Sequence, residues 1–492
     1  MPKIIIPREV NSIIQKLQEN NFEAYIVGGC VRDILLKKEI KDWDITTNAQ
    51  PQEIQKLFPG SIYENQFGTV AVKTDSSEPS LKLIEITTFR KEDKYTDKRH
   101  PDIITFAQTL EKDLARRDFT INTMALDAKT SKIFDPFKGQ NDLKKKIIKT
   151  VGNPDKRFNE DALRLMRAIR FACELSSNWR IEKKTLASLK KNSHLLRFIA
   201  KERIRDEFLK IINTSQAAQG ILLLEQTGIL KEIMPELEAG INVSQNKHHI
   251  YPVFEHLWRS LDYAAKKNYS LEVRLASLFH DIGKPQTKEG NGINATFYNH
   301  EIVSAKITRQ ILFRLKLSSS QINKIVLLVR YHGFVYEPEI TTDAAIRRLL
   351  VKVGAENIQE LAQLREADRI GSGCPKALPF RLRHFLFRVE KIIKQLEGKE
   401  PSLKMLKING NDIQKILNIK PCPTIGIILN ILLEDILDKP ENNNQGYLEK
   451  RVKELSQLNE KDLSILNNKA KLKYQKLLTQ GEQQIKHKYF VD

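Results

Sequence analysis

The sequence predicts an α+β N-terminal head, a mixed β-sheet with helices, followed by a mostly α-helical remainder. Three observations carry that expectation. Residues 67–72 and 81–87 alternate apolar and polar side chains with the period of a half-buried strand. Turn residues such as Pro59-Gly60 separate these runs from helical ones. From Asn159 onward the apolar residues recur at three- and four-residue spacing instead, and glycines are few between 180 and 240.

The 492 residues suffice for three or four domains, each with its own core. A chain that is 41% hydrophobic and 29% charged folds rather than staying disordered. Its formal charge of +20 favours a polyanionic partner. A membrane surface would attract the same charge, but no run of about 18 apolar residues is there to span a bilayer. Residues 1–8, interrupted by Pro2 and Pro7, do not read as a signal peptide. Cys30, Cys173, Cys374 and Cys422 form no Cys-X-X-Cys, which suits reduced thiols in a cytoplasmic protein rather than disulfides or a zinc knuckle.

Residues 1 to about 24 read as an amphipathic helix, with Val10, Ile13, Ile14, Leu17 and Phe22 on one face. Residues 25–47 then give a short strand, a Gly28-Gly29 turn, a helix opening on Arg32 and Asp33, and a second strand carrying Asp42 and Asp44. Two residues apart on a strand, these carboxylates point to one face, where they repel unless a cation or proton lies between them. For an Asp-X-Asp pair alone, a solvent-exposed acidic strand end is the commoner reading. The glycine turn favours chemistry: it lets backbone amides approach a phosphate at the positive end of a helix. Phosphate cradle plus paired carboxylates equips a site for Mg²⁺-assisted phosphoryl or nucleotidyl transfer.

A helix is expected over residues 53–58, and Glu85 is a candidate third carboxylate. The polar residues 90–103 read as a loop on the rim of the site or as a solvated connection. Arg116-Arg117-Asp118 is either a surface ion pair or, beside a phosphate site, a clamp in which Arg117 grips a triphosphate. Residues 135–139 form a turn. A single helix over residues 159–171, N-capped by Asn159, sets Asp161, Arg164, Arg167 and Arg170 on one polar ridge, opposite Leu165, Met166, Ile169 and Ala172. A salt-bridged solvent face would produce the same spacing. Arg203, Glu207 and Lys210 read as a helix-stabilising set.

Between His248 and Asp368 lies a histidine cluster: His248, His249, His256, His280-Asp281, His300 and His332, with Asp368. Imidazoles and carboxylates spread over a helical stretch suit one or two divalent metals. Beyond it, an apolar helix is expected over 425–437, and the lysine-rich residues 469–488 read as a surface helix or frayed tail.

Taken together, Val27-Gly28-Gly29-Cys30-Val31-Arg32-Asp33 with Asp42-X-Asp44, Arg116-Arg117-Asp118-Phe119-Thr120-Ile121-Asn122, Asp135-Pro136-X-X-Gly139 and Glu160-Asp161-Ala162-Leu163-Arg164 resemble the class II tRNA nucleotidyltransferase / poly(A) polymerase family, most narrowly its bacterial CCA-adding enzymes. Residues 256–368 resemble an HD-type metal phosphohydrolase domain, and the stretch from Ile408 a tRNA-binding C-terminal portion, with Pro423-Thr424-Ile425-Gly426 as its looser match. The resemblance implies a polymerase-β-like nucleotidyltransferase head over 1–150, a helical neck over 151–240, an HD domain over 248–375 and a C-terminal tRNA-binding region over 376–492.

It further implies that Asp42 and Asp44 are catalytic and hold Mg²⁺, and that Gly29, Arg32, Arg117, Arg167 and Arg170 hold the nucleotide's phosphates and sugar. Asp161 and Arg164 would select the base. That role is chemically coherent: a carboxylate only accepts and a guanidinium only donates, which matches the amino donor and ring-nitrogen acceptor of cytosine and adenine. Uracil and guanine present the reverse pair and would leave two groups unsatisfied, at about 1–3 kcal/mol each. The implied metal ligands of the HD site are His256, His280, Asp281 and Asp368, for Mn²⁺, Ni²⁺ or Mg²⁺. The implied partners are CTP, ATP and the acceptor stem and T-arm of tRNA, and the implied activity is CCA addition with release of pyrophosphate. Residues 90–101 match a flexible loop that accompanies A addition. An A-only enzyme and a poly(A) polymerase are the alternatives, and Asn65-Gln66-Phe67-Gly68-Thr69-Val70 follows the CCA-type pattern rather than the basic segment of the polymerases.

Overall fold

A computed structural model describes residues 5–63, 68–93, 103–107, 109–246, 249–373, 380–397 and 402–491. Contacts divide the chain into two compact units, residues 1–332 with 363–374, and residues 333–362 with 375–492.

The first unit opens with α1 (Arg8–Glu19), which buries Val10, Ile13, Ile14 and Leu17. It stops short of residue 24 because Asn21 turns left-handed at φ 65°. Then come β1 (Ala24–Val27), α2 (Gly29–Leu36), β2 (Asp44–Thr47), α3 (Pro51–Leu57), β3 (Ile62–Tyr63), β4 (Thr69–Lys73) and β5 (Leu83–Thr88). Helix α3 starts ahead of residue 53: Pro51 suits a first helical turn, and the Glu53 carboxylate accepts from the Gln50 N–H at 2.7 Å. A hairpin of β6 (Arg90–Asp93) and β7 (Ile103–Phe106) follows, then α4 (Leu110–Ala115), a 3-10 turn (Thr120–Asn122), β8 (Ala125–Leu126), β9 (Ile133–Phe134) and α5 (Gly139–Lys145). Among the described residues, β3-β4-β5-β2-β1-β8-β9 form one mixed sheet in that order, parallel only between β2 and β5. Most of the expected rim loop, residues 94–102, lies outside the described residues, as do residues 64–67.

One expectation about the paired carboxylates is corrected. Asp44 is the first residue of β2, and Asp42 precedes the strand. The register explains this: Asp44 pairs with Val27, the last residue of β1, and Gly28 then turns away at φ 83°. No β1 backbone remains for residue 42 to pair with.

The neck holds a second correction. Instead of one helix from Asn159, there are two, α6 (Pro154–Glu160) and α7 (Leu163–Glu174). Asn153, not Asn159, caps α6 by accepting from the Lys156 N–H. Asp161 interrupts the run in an extended conformation (φ −133°, ψ 106°), and its carboxylate accepts the Leu163 N–H at 3.0 Å. An acid there satisfies an otherwise unpaired donor of the new helix. Strands β10 (Ile147–Ile148) and β11 (Arg180–Ile181) pair in parallel, and α8 (Lys183–Asn192) and α9 (Lys201–Ile212) complete the neck. Helices Val253–Lys266, Leu271–Phe279, His300–Arg314 and Ser319–Tyr331 follow in the same unit.

In the second unit, Ile428, Leu432, Leu448, Val452 and Leu455 form the centre of a helical core. Residues 469–488 lie within a 30-residue helix, Glu460–Tyr489, that buries Leu463, Asn467, Ala470 and Ile485. They are thus part of a packed helix rather than a frayed tail. Among the described residues no helix is long and apolar enough to cross a membrane.

Candidate active site and metal centre

The glycine turn brings the first pieces together. A Cβ on Gly28 would lie 3.0 Å from the Asp44 carboxylate and 3.3 Å from an Arg117 guanidinium nitrogen, so both side chains close directly over this turn. Burial raises the pKa of Asp44; Arg117 draws it down and the neighbouring Asp42 charge lifts it again. Arg117 is aimed by Asp113 on α4, a fully buried carboxylate that takes Arg116 at 2.7 Å on one oxygen and Arg117 at 3.2 Å on the other. Burial alone would lift the Asp113 carboxyl, but the two guanidiniums hold it below its ordinary value. Glu85 sits beside Asp44 in the parallel ladder, hence on the same face of the sheet, and is exposed.

A cleft of about 490 Å³ opens here, walled by Gly28, Gly29, Arg32, Asp42, Asp44, Arg117, Asp118, Asn122, Asp161, Arg164, Arg167, Arg170, Phe171, Arg203 and Lys210. Asp42, Asp44, Gly29, Arg32, Arg117, Asp161, Arg164, Arg167 and Arg170 therefore meet in one place, while Glu85 is not part of the wall. Six arginines and one lysine face four aspartates across the cleft, a balance suited to a polyphosphate.

The polar ridge of α7 is no solvated face. Arg164 and Arg170 are buried, and each member has a fixed partner. Arg164 donates to the Glu160 carboxylate at 2.9 Å and to the backbone carbonyls of Arg157 and Arg116 at 3.2 and 3.0 Å. Arg167 forms a two-point pair with Asp118, at 2.8 and 2.6 Å. Arg170 donates to Glu207 at 2.6 Å and Glu174 at 2.5 Å, with its guanidinium 4.1 Å from the centre of the Phe171 ring. From the head, Arg32 donates to Asp33 at 2.8 Å and to Asn122 at 2.8 Å, and Asn122 donates in turn to Asp118 at 3.2 Å. Burial would push the Asp118 carboxyl up, but Arg167 and Arg164 hold it at about 2. It is thus a fixed negative charge joining head to neck.

The turn carrying Asn122 is braced from behind. Asp135 accepts the Gly139 and Gln140 N–H groups at 2.6 and 2.9 Å, and Thr120 donates to Asp142 at 2.7 Å. A Cβ on Gly139 would fall 2.2 Å from the Thr120 carbonyl oxygen, which only glycine avoids.

Sequence reasoning missed several members. Asp113 drew no attention, Asn122 and Asp118 were only parts of a motif, and Arg203, Glu207 and Lys210 were assigned to helix stabilisation. Arg203 approaches Asp161 at 3.7 Å, and Glu207 is buried against Arg170. The one available signal was an acid followed by cations at three- and four-residue spacing near a phosphate motif, which does not distinguish a cleft wall from a solvated face. Cys30 and Cys173 are buried thiols whose pKa burial pushes up to about 12, which suits packing rather than nucleophilic chemistry.

The histidine cluster converges separately, within the same unit. The ligand atoms of His256, His280, Asp281 and Asp368 lie within 4.8 Å of one another, as do those of Asp281, His300 and His332. Nδ1 of His280, His300 and His332 lies 2.9, 2.8 and 2.7 Å from the carbonyl three residues before it. A carbonyl can only accept, so each Nδ1 carries the proton and each Nε2 presents a lone pair. The Nε2 atoms of His256 and His280 are 2.9 Å apart, with Asp281 at 3.3 Å from both and Asp368 at 3.3 Å from His256. The second Asp281 oxygen, 3.3 Å from His300 and 3.4 Å from His332, is buried without a hydrogen-bond partner. Lone pairs and an orphaned carboxylate oxygen converging on one interior point fit divalent metal. Lys284 contacts Asp281 at 2.6 Å and Arg365 contacts Asp368 at 2.6 Å, and they hold both carboxyls well below their ordinary range against the opposing effect of burial. His249 stands beside the His256 ring, whereas His248 lies outside the described residues.

Comparison with known proteins agrees with this architecture. Residues 24–149 match the family model of the poly A polymerase head domain, residues 178–241 that of a probable RNA and SrmB-binding site of polymerase A, and residues 253–372 that of the HD domain. The three matches define a class: a poly A polymerase-like head, an RNA-binding-like segment and an HD-like domain in that order. The head, over residues 24–149, is thus similar to that of poly A polymerases. The chain is 46% identical over 222 residues to the CCA-adding enzyme of Lactobacillus helveticus, covering 45% of this chain and 54% of that one. Likewise it is 46% identical over 231 residues to the CCA-adding enzyme of Lactococcus lactis, covering 47% of this chain and 56% of that one. The match spans about half the length of these curated relatives. A crystal structure of the Bacillus stearothermophilus CCA-adding enzyme in complex with CTP is similar over 93% of this chain and 100% of that one, with a TM-score of 0.58 and 26% identity.

Proposed function

We propose that this protein is a template-independent CCA-adding tRNA nucleotidyltransferase, which builds or repairs the tRNA 3′ end from CTP and ATP in the cytoplasm. The observation that carries the proposal is that Asp161 and Arg164 wall the same arginine-lined cleft as Asp42 and Asp44. A nucleotide held in the cleft is thus within one cavity with both the base-selecting pair and the carboxylates.

Asp42 and Asp44 are the residues to hold Mg²⁺, since hard carboxylate oxygens suit it and their mutual repulsion calls for a cation. Bound there, Mg²⁺ supplies charge neutralisation at the triphosphate and a more acidic primer hydroxyl. Arg117, fixed by Asp113, and Arg32, fixed by Asp33 and Asn122, grip phosphate. Arg167 and Arg170 hold phosphate or sugar from the neck. Asp161 accepts from the exocyclic amino group of C or A, and Arg164 donates to the neighbouring ring nitrogen. The excess of positive charge serves the acceptor stem and T-arm backbone.

The test offers the protein three tRNA transcripts, ending at the discriminator base, in C-C and in C-C-A, with each nucleoside triphosphate separately and Mg²⁺. Two C and one A followed by arrest is the expected result. A added only to the C-C transcript identifies an A-only enzyme, and unbounded A tails a poly(A) polymerase.

A second activity is favoured by the sharing of Asp281 between two ligand groups. In this reading His256, His280, Asp281 and Asp368, with His300 and His332 beside them, would hold divalent metal, Mn²⁺, Ni²⁺ or Mg²⁺, which would supply the Lewis acidity for hydrolysis of a phosphoester.

A further inference from the structure

Helix α7 is tied to the head at three heights. Near its start Arg164 donates to the Arg116 carbonyl, and in its middle Arg167 pairs with Asp118. Both ties lie inside the nucleotide cleft. The third is elsewhere. Helix α2 ends where Lys37 turns left-handed at φ 54°, which throws Lys38 across to the far end of α7. There the Lys38 ammonium donates to the carbonyl of Leu175 at 2.6 Å and of Glu174 at 3.3 Å, the last acceptors of that helix. A helix C-terminus is the negative end of its dipole and leaves carbonyls unpaired, so an ammonium there satisfies both needs. Burial of the ammonium lowers its pKa, with Asp33 and Glu174 acting in the opposite sense.

Two features connect this tie to the site. Lys38 lies in the short segment between α2 and Asp42, so the chain that presents the carboxylates is the chain that grips α7. Glu174, whose backbone Lys38 holds, also holds Arg170 through its carboxylate at 2.5 Å. Lys38 further walls a cleft of about 390 Å³ that adjoins the first and shares Asp42, Asp44, Arg32, Arg170 and Lys210 with it.

We propose that Lys38 is a positioning residue: it fixes the distance along α7 between the base-selecting pair and the paired aspartates, so that a nucleotide held at its base presents its α-phosphate to the carboxylates. This rests on the transfer proposed above. The base and phosphate contacts stay intact without Lys38, so nucleotide binding is kept while in-line geometry is lost. Misplacement of about 1 Å can cost roughly a hundredfold in rate.

The experiment measures kcat and KM for CTP with a transcript ending at the discriminator base, for wild type, Lys38→Met and Lys38→Arg, alongside Tm. Lys38→Met should lower kcat about tenfold or more, change KM for CTP and for RNA by less than about twofold, and leave Tm within about 2 °C. Lys38→Arg, which restores a donor to the same carbonyls, should recover most of kcat. An unchanged kcat in Lys38→Met overturns the inference. So does a rise in KM for RNA at constant kcat, which would make Lys38 an RNA contact. A rate loss that tracks a fall in Tm and is not rescued by arginine also overturns it, since that is a purely structural role. Wild-type protein that fails to transfer CMP overturns the proposed function and this inference with it.

Discussion

Asp118 sets the terms at the residue scale. It is the joint at which Asn122 of the head and Arg167 of the neck meet, and it has no direct counterpart in the proposed chemistry. Its folded pKa is about 2, below the ordinary 3.8, so the folded state favours the ionised form. The sign of the pH effect follows: the stabilisation is present above the unfolded value and fades as pH falls through the folded one, between about 4 and about 2. The shift corresponds to about 2 kcal/mol. Asp118→Asn should therefore lower Tm at neutral pH and flatten the fall of Tm over that acid window, as thermal unfolding at stepped pH would record. A variant that keeps the wild-type acid limb would remove Asp118 from this role.

At the element scale, what matters is how short pieces are held against one another. The Thr120–Asn122 turn is fixed from behind by α5, and Gly139 is where the two touch. Gly139→Ala must displace the Thr120 carbonyl and, with it, Asn122. Overpacking of this kind costs about 1–3 kcal/mol, and loss of Asn122 alignment should depress CMP transfer beyond what the stability change accounts for. Urea unfolding combined with initial rates at a temperature where the variant is folded checks both. Wild-type rates in a destabilised variant would show that the turn serves folding alone. The elements themselves were largely legible in the sequence. Helix α1, strands β4 and β5 and the apolar helix Pro423–Asp438 follow directly from periodicity, because burial of one face is a local pattern. The break at Asp161 was not legible, since residues 159–171 have uniformly helical composition and only the capping of Leu163 by Asp161 interrupts them. Asp42 was placed on a strand for the converse reason: where β2 begins depends on where its partner β1 ends. Asp113 has its partners three and four residues on, a spacing that a solvated helix face shares, whereas the pairing of Glu207 with Arg170 is set by tertiary packing that no spacing rule reveals.

For the whole molecule, two chemically distinct centres occupy one compact unit. One is an arginine-rich cleft; the other is a cluster in which His256, His280, Asp281 and His332 are almost entirely buried. Their ligand sets do not overlap, so the proposed activities should be separable. His280→Ala should leave CMP transfer within about twofold of wild type. It should reduce metal affinity at the HD site by about 10–100-fold or more, and abolish ring-opening hydrolysis of 2′,3′-cyclic nucleotides to nucleoside monophosphates in Mn²⁺ or Ni²⁺. Metal content after dialysis, measured with both activities, checks this. Transfer that collapses in His280→Ala would show that the HD centre supports the head rather than acting by itself.

The central claim is that protein side chains, not a template, choose the base while the paired aspartates serve the same bound nucleotide. The most direct measurement compares UTP with CTP incorporation onto a transcript ending at the discriminator base, in wild type and Asp161→Ala. Wild type should strongly prefer CTP, and Asp161→Ala should erode that preference by about 1–3 kcal/mol, roughly 5- to 150-fold, while still transferring. An unchanged CTP-to-UTP ratio in Asp161→Ala would contradict it.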